Sequence, residues 1–356
     1  MSAQTSLPAE HPLVCGKTKN SPMVQALNGI AQLRPPVWFM RQAGRSLPEY
    51  RKVRQGIAML DSCLRPELAA EITLQPVRRH HVDAAVFFSD IVIPLKLAGV
   101  EVEIVAGVGP VLEFPVRTRA DFEKLPSTSE IDFDLIVQAI TICTDELGST
   151  PLLGFGGAPF TLASYLIEGR PSKELPTCRA MIQSDPTLWS QILNWCAELT
   201  AAFLRAQVLA GASAIQLFDS WAGRLSVDQY ENYAAPHSKR VFDLIADLPV
   251  PRIGFGVGTG SILKQMQATG ATVMSVSNDI TLAQAVDILG EDIALQGNLD
   301  PELLLGEWKD VEAAAREVIE EGRLAKSHIF NLGHGVMPET NPYMLTRLVE
   351  FIHDVR

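Results

Sequence analysis

The sequence predicts an α/β fold, a single (β/α)8 TIM barrel with a β-hairpin inserted after its second strand. Three observations predict it. Eight short β-branched or aromatic runs recur along the chain, and each leads through a turn cluster into a longer stretch with helical periodicity. Strands that alternate with helices run parallel, because a parallel neighbour is reached only by a crossover, and eight such units close into a ring more naturally than they fill an open sheet. No composition shift or linker divides the 356 residues, and α/β barrels often exceed ~250 residues as one unit.

In chain order the predicted strands are 37–40 (Val-Trp-Phe-Met), 84–88 (Ala-Ala-Val-Phe-Phe), 152–155 (Leu-Leu-Gly-Phe), 214–218 (Ala-Ile-Gln-Leu-Phe), 252–255 (Arg-Ile-Gly-Phe), 273–276 (Val-Met-Ser-Val), 293–296 (Ile-Ala-Leu-Gln) and 328–332 (His-Ile-Phe-Asn-Leu). Apolar spacing predicts amphipathic helices over 66–81, 134–147, 186–210, 228–248, 261–269, 282–289, 310–322 and 343–353. Alternation over 100–116, around Gly107-Val108-Gly109-Pro110, predicts the hairpin. Residues 1–20 are expected to be a loose tail and 21–356 the barrel.

Composition narrows the function classes. The chain carries 41 acidic against 30 basic side chains, a formal net charge of −11, and is 47% hydrophobic. That argues against a nucleic-acid-coating surface, which requires clustered Lys and Arg, but leaves room for one small basic pocket. Five cysteines (Cys15, Cys63, Cys143, Cys178 and Cys196) show no CxxC pair or zinc-ligand spacing. They read as reduced thiols of a cytoplasmic protein with no metal. The first twenty residues lack a signal-peptide pattern, and no apolar run reaches the ~18 residues that cross a bilayer.

Barrel active sites lie at the carboxyl ends of the strands. The first strand runs into Arg41-Gln42-Ala43-Gly44-Arg45, two guanidinium forks suited to carboxylates or phosphates, or else two solvated surface arginines. The second ends in Ser89-Asp90, a helix cap or a Mg²⁺ ligand. The third leads through Gly156-Gly157-Ala158-Pro159 to Tyr165, either a phenol offered to a ligand or a buried Tyr bonded to a carbonyl. The fourth ends in Asp219-Ser220, where a cap explains either residue. The fifth gives Gly256-Val257-Gly258-Thr259-Gly260, a weak dinucleotide pattern but a possible phosphate cradle at a helix start. The eighth ends in Gly333-His334-Gly335, a structural histidine or one left unshielded at the cleft.

These residues also carry a resemblance. The stretch from Pro36-Val37-Trp38-Phe39-Met40-Arg41-Gln42-Ala43-Gly44-Arg45 to Leu47-Pro48-Glu49-Tyr50-Arg51 resembles the N-terminal signature of the uroporphyrinogen decarboxylase family. The stretch from Gly154 to Tyr165 is similar to that family's second signature. The likeness extends to Phe87-Phe88-Ser89-Asp90-Ile91, to residues 216–223, to Gln296-Gly297-Asn298-Leu299-Asp300-Pro301 and to Asn331-Leu332-Gly333-His334-Gly335. It implies a homodimeric barrel that needs no cofactor or metal and converts uroporphyrinogen III to coproporphyrinogen III in haem biosynthesis by removing CO₂ from four acetate side chains. It further implies that Arg41, Arg45 and the Gln42-Ala43-Gly44 backbone bind substrate carboxylates. Asp90 would accept the pyrrole N–H bonds and stabilise positive charge, with Tyr165, Ser220 and His334 completing the pocket. The proton donor stays open among His334, Tyr165, an arginine and a relayed water.

Three places depart from the family pattern: Ser46, where an aromatic is usual; Val276-Ser277-Asn278-Asp279, in place of a Leu-Asp-Trp or Val-Asp-Trp run; and the fifth-strand loop, which lacks a lysine. The rival readings are a cobamide-dependent methyltransferase of the same barrel family and a non-catalytic tetrapyrrole carrier. The first needs a zinc-bound thiolate late in the chain, yet the last cysteine is Cys196.

Overall fold

A computed structural model describes residues 7–355. Nine strands form in the order β1 (Ala85–Val86), β2 (Val102–Val105), β3 (Gly109–Leu112), β4 (Leu152–Gly157), β5 (Ala214–Asp219), β6 (Arg252–Gly256), β7 (Val273–Ser275), β8 (Ala294–Leu299) and β9 (Ser327–Leu332). Seven of them make one sheet, β1-β4-β5-β6-β7-β8-β9, and every neighbouring pair is parallel. The other two, β2 and β3, pair antiparallel with Val102 opposite Leu112.

The predicted first strand, 37–40, is a correction. It contributes a single parallel bridge, Val37 to Phe330. Pro35 and Pro36 offer no N–H to a ladder. Beyond the bridge the Asn331 side chain takes over, its Oδ1 accepting from Met40 N at 3.0 Å. The short piece still closes the ring, because Phe330 N donates to Pro36 O at 2.9 Å on one side and Asp83 N to Val37 O at 2.8 Å on the other. The second predicted strand is cut similarly: Phe88 N turns to Thr73 Oγ1 at 2.9 Å and leaves the sheet.

Helices at Pro66–His80, Asp134–Glu146, Leu282–Leu289, Trp308–Gly322 and Pro342–Asp354 lie within a residue or two of expectation. The predicted 228–248 helix divides into Val227–Tyr233 and Ala235–Leu244. Pro236 supplies no N–H and crowds the preceding turn, so one helix cannot run through it. The 261–269 segment shrinks to a short 3₁₀ turn and the helix Leu263–Gln267. Among the described helices of eight or more residues, two were not expected, Pro159–Glu168 and Pro176–Ser184, and several shorter ones such as Pro22–Leu27 and Ile93–Leu97 were not expected either. The loose-tail expectation is corrected for residues 7–20: Leu7 is buried in one apolar cluster with residues such as Leu204 and Val208, His11 Nε2 meets Val208 O at 3.0 Å, and Thr18 Oγ1 meets Ser213 Oγ at 2.9 Å. Residues 1–6 lie outside the described residues.

Inside the ring, Trp38, Leu153, Ile253, Phe255 and Ile329 pack together around a buried polar hub. Trp38 Nε1 donates to Gln296 Oε1 at 3.0 Å, while Gln296 Nε2 donates to Gln216 Oε1 at 3.0 Å and Ser275 Oγ at 2.9 Å. Each buried polar atom of that hub thus has a partner, which avoids the ~1–3 kcal/mol cost of an unmet one.

Asp83 secures the closure. Its carboxylate accepts from Arg34 at 3.0 and 3.2 Å and from Val37 N at 2.8 Å, and meets His353 Nε2 at 3.1 Å. It therefore ties the first segment to the C-terminal helix. Burial alone would raise its pKa, but the bonds from His353, Arg34 and the Val37 amide together hold it below the usual value of 3.8. A depressed carboxyl gives stability that is complete above its unfolded pKa and lost as pH falls through the folded one. Asp83→Ala should cost roughly 3 kcal/mol by stranding Arg34 and the Val37 amide. Thermal melts should show this loss at neutral pH and a weaker decline below pH ~4 in the variant than in the wild type; an unchanged melting temperature would contradict the tie.

Candidate active site

The carboxyl ends of the strands gather at one mouth of the ring, and the backbone there is shaped to carry Arg41. Arg41 adopts φ +61°, a left-handed conformation that a side chain enters at some cost. Its carbonyl turns so far inward that a Cβ at residue 44 would come within 2.8 Å of it, so Gly44 is required. Its side chain lies over the last strand's loop, where a Cβ at Gly335 would collide with the Arg41 Cγ and Cδ. Val336 N donates to Met40 O at 2.8 Å and locks the two loops together. The first and last strand ends are thus adjacent.

Arg41 is exposed and, like Arg45, forms no salt bridge among the described residues. Its field reaches three of the predicted residues. Burial raises the Asp90 pKa, opposed by the Val92 amide and then by Arg41. Burial also raises Tyr165, which feels both Asp90 and Arg41. His334 is lowered, first by burial and then by the Arg41 charge. Arg41, Asp90, Tyr165 and His334 therefore share one electrostatic environment. Arg45 stands at its edge, exposed, with its carbonyl accepting from Arg51 Nη1 at 2.9 Å.

Asp90 follows β1 by four residues. One oxygen, Oδ1, accepts from Val92 N at 3.0 Å and starts the turn into the helix Ile93–Leu97. This local cap leaves Oδ2 for a ligand. Behind it, the Cys63 thiol is pushed up by burial and then by the Asp90 charge, and Tyr50 packs edge-on against Phe88 at 5.7 Å. Tyr165 sits 7% exposed on the helix Pro159–Glu168, with the Trp221 ring edge-on at 6.1 Å. His334 Nδ1 accepts from Gly335 N at 2.7 Å. That bond assigns the ring proton to Nε2 in the neutral tautomer. Ser220 is half-buried just past β5.

Some expectations shift. The Gln42 side chain is spent inside the protein, its Oε1 accepting from Phe39 N at 3.0 Å and its Nε2 donating to Ala84 O at 3.1 Å. Its own N–H goes to Phe39 O. Of the three N–H groups in the Gln42-Ala43-Gly44 backbone, those of Ala43 and Gly44 have no partner among the described residues. The phosphate cradle is filled: Gly258 N donates to Ser277 Oγ at 3.0 Å and Gly260 N to Asp279 Oδ2 at 2.9 Å. Two of the departing residues thus occupy that loop, and the third, Asn278, packs where a Cβ at Gly333 would collide with it. Ser46 is buried with its hydroxyl unpaired. Asp219 is no helix cap, for its Oδ1 accepts from Thr161 Oγ1 at 2.7 Å. No spacing in the sequence signals that contact, which joins the helix Pro159–Glu168 to the end of β5. A hollow of about 150 Å³ lined by Phe160, Cys178 and Tyr233 holds none of these residues.

Comparison with known proteins agrees in family and fold. The family described as Uroporphyrinogen decarboxylase (URO-D) matches residues 18–355. A uroporphyrinogen decarboxylase of Arthrobacter sp. (strain FB24) is 55% identical over 340 residues, covering 96% of this chain and 99% of its own. That of Nocardia farcinica (strain IFM 10152) is 53% identical, covering 94% and 96%. Among solved structures, a methyltransferase from Methanosarcina mazei superposes with a TM-score of 0.79 at 20% identity, over 95% of this chain and 98% of that one, a likeness of fold alone. With nearly its whole length matched in this way, the chain belongs to the uroporphyrinogen decarboxylase family.

Proposed function

We propose that this protein removes CO₂ from the four acetate side chains of uroporphyrinogen III to give coproporphyrinogen III in haem biosynthesis, with Arg41, Asp90, Tyr165 and His334 as the reacting site. The observation that carries this reading is a half-buried carboxylate, Asp90, with one oxygen unspent, in the field of an exposed guanidinium without a carboxylate partner among the described residues.

An acetate on a pyrrole loses CO₂ only if the departing electron pair has somewhere to go. A proton added to the ring carbon beside nitrogen creates an iminium-like cation, and the carbon–carboxylate bond then breaks into it. CO₂ leaves, the exocyclic methylene takes a proton to become methyl, and the ring proton is returned. The substrate is its own electron sink, so no cofactor is called for. A desolvated carboxylate gains most from a cation arriving beside it, and Asp90 Oδ2 fits that task while accepting pyrrole N–H bonds. Arg41, Arg45 and the amides of Ala43 and Gly44 suit the acidic arms, with Ser220 at the rim. Eight substrate carboxylates meet a chain of net charge −11, yet that field is screened beyond ~8 to 10 Å and the local guanidinium groups outweigh it.

Burial keeps the Tyr165 phenol protonated, and His334 neutral with its proton on Nε2. Both are therefore neutral donors to substrate, and neither is a standing cation competing with Arg41. The methyltransferase alternative would require a thiolate. That thiolate would be held by zinc, and no group of three or more His, Cys, Asp or Glu that could hold a metal ion lies among the described residues. The tetrapyrrole-carrier alternative predicts binding without gas release. The protein is further proposed to act in the cytoplasm as a homodimer; no helix among the described residues is long and apolar enough to cross a membrane.

Anaerobic incubation with uroporphyrinogen III, followed by oxidation and chromatography, should yield products with fewer carboxyls and one CO₂ per carboxyl lost; bound but unchanged substrate would leave only the carrier. Asp90→Asn should lower kcat a few hundredfold, the loss of ~3 to 4 kcal/mol of preorganised electrostatics, while KM changes less. Because the ionised form acts and its pKa is raised, wild-type activity should fall as pH drops through that value, and the variant should lack this acid limb. Arg41→Ala or Arg45→Ala should raise KM by about 10- to 100-fold through loss of a charge-assisted contact. Added salt should weaken wild-type binding, and an affinity indifferent to both changes would remove the arginines from recognition. Sedimentation at the mass of one chain would overturn the dimer.

A further inference from the structure

Asp219 ends β5 with its side chain turned away from the ring interior, only 2% exposed. Its Oδ1 accepts the Thr161 hydroxyl at 2.7 Å, while Oδ2 is sealed from solvent with no partner among the described residues. The same Thr161 oxygen accepts from the Trp221 amide at 3.2 Å. Trp221 in turn sets its ring edge against Tyr165 at 6.1 Å and 73°. Thr161 and Tyr165 are four apart on the helix Pro159–Glu168 and so share a face. A continuous set of contacts therefore runs from a hidden carboxyl to the phenol that faces substrate.

Among the described residues no cation faces that carboxyl. The helix Pro159–Glu168 presents Thr161, and the helix Val227–Tyr233 presents Tyr230, a buried phenol that is raised first by burial and then by Asp219. A buried anion with one hydrogen bond and no counter-charge is costly, and shedding the charge is the cheaper state.

We propose that Asp219 is a positioning residue that acts as an uncharged carboxylic acid, and that through Thr161 it fixes the Trp221 backbone and ring that hold Tyr165 toward the substrate. The proposal rests on the decarboxylase reading of the site. Ionising the acid places an unsolvated charge behind Trp221; relief requires water to enter or the loop to move, and either loosens Tyr165. Burial pushes Asp219 up to about 7, against a smaller opposing effect of the Thr161 bond. With the folded value above the ordinary 3.8, the folded protein holds this proton across the interval between them. Stability associated with it is full below that interval and declines as pH rises through it.

The test compares kcat, KM and infrared spectra of the wild type with D219N, T161V and T161S across neutral pH. The amide of D219N mimics the neutral acid and cannot ionise. It should keep the wild-type kcat on the acid side of about 7 and lose the alkaline decline that the wild type shows near that value. T161V should lower kcat by about tenfold with KM little changed, the effect of one misplaced hydrogen bond, and T161S should restore it. The wild-type minus D219N infrared difference should contain the carbonyl stretch of a protonated carboxyl that disappears as pH rises past about 7. Should D219N fail to fold, the threonine pair and the wild-type spectrum decide. Coincident wild-type and D219N pH profiles, full kcat in T161V, or no protonated-carboxyl band would each overturn the proposal. The infrared arm needs no substrate, so an enzyme that released no CO₂ would discredit the decarboxylase reading while leaving the state of Asp219 separately decided.

Discussion

The site depends on a guanidinium held where the chain has removed every side chain that would obstruct it. Arg41 occupies a left-handed backbone position, with Gly44 admitting its carbonyl and Gly335 admitting its side chain. Gly44 lies under the Arg41 carbonyl and Gly335 beneath its side chain, where its N–H also reaches His334 Nδ1, and together they decide where positive charge stands. The neighbours take their character from that placement. Asp90 has its burial partly offset by Arg41, Tyr165 feels both charges, and His334 is pressed toward neutrality. Burial sets the direction at each of these three groups and the one cation opposes or adds to it, so loss of its position would be felt by all of them.

The scaffold repeatedly substitutes side chains for sheet bonds where the mouth must open. Asn331 Oδ1 receives both Met40 N and Leu332 N, Thr73 receives Phe88 N, and Gln207 receives Phe155 N while its own Nε2 returns to Phe155 O. Each replacement lets a strand end leave the ladder without stranding a backbone group, which a buried site cannot tolerate. The strands stay short for the same reason that the loops above them can converge.

Much of this was legible in the residues themselves. The β-branched and aromatic runs marked six of the parallel strands closely, since a strand buried on both faces reads as a continuous apolar stretch. Helices with a clean apolar stripe, such as Leu282–Leu289, were equally plain. What escaped was decided by contacts between distant parts of the chain. The first strand is brief because Asn331 intervenes, nearly three hundred residues away. The helix Pro159–Glu168 is almost wholly buried and so shows no polar face by which its period could be recognised. The glycine loop of 256–260 looked open because its occupants, Ser277 and Asp279, come from the loop after the next strand. At the site, residue types pointed to Arg41, Asp90, Tyr165 and His334, but only the fold shows that the Gln42 side chain is committed elsewhere and that Asp219 faces Thr161.

The ring's closure joins parts of the chain that are made far apart in time. Met40 meets Asn331 across 291 positions, which at ribosomal speeds is a delay of about 15 to 60 seconds. Throughout that interval Trp38 and Phe39, both fully buried at the end, have no final resting place. A nascent chain must therefore shield an aromatic N-terminal segment until nearly its last strand has emerged, which makes this stretch a natural handle for chaperones.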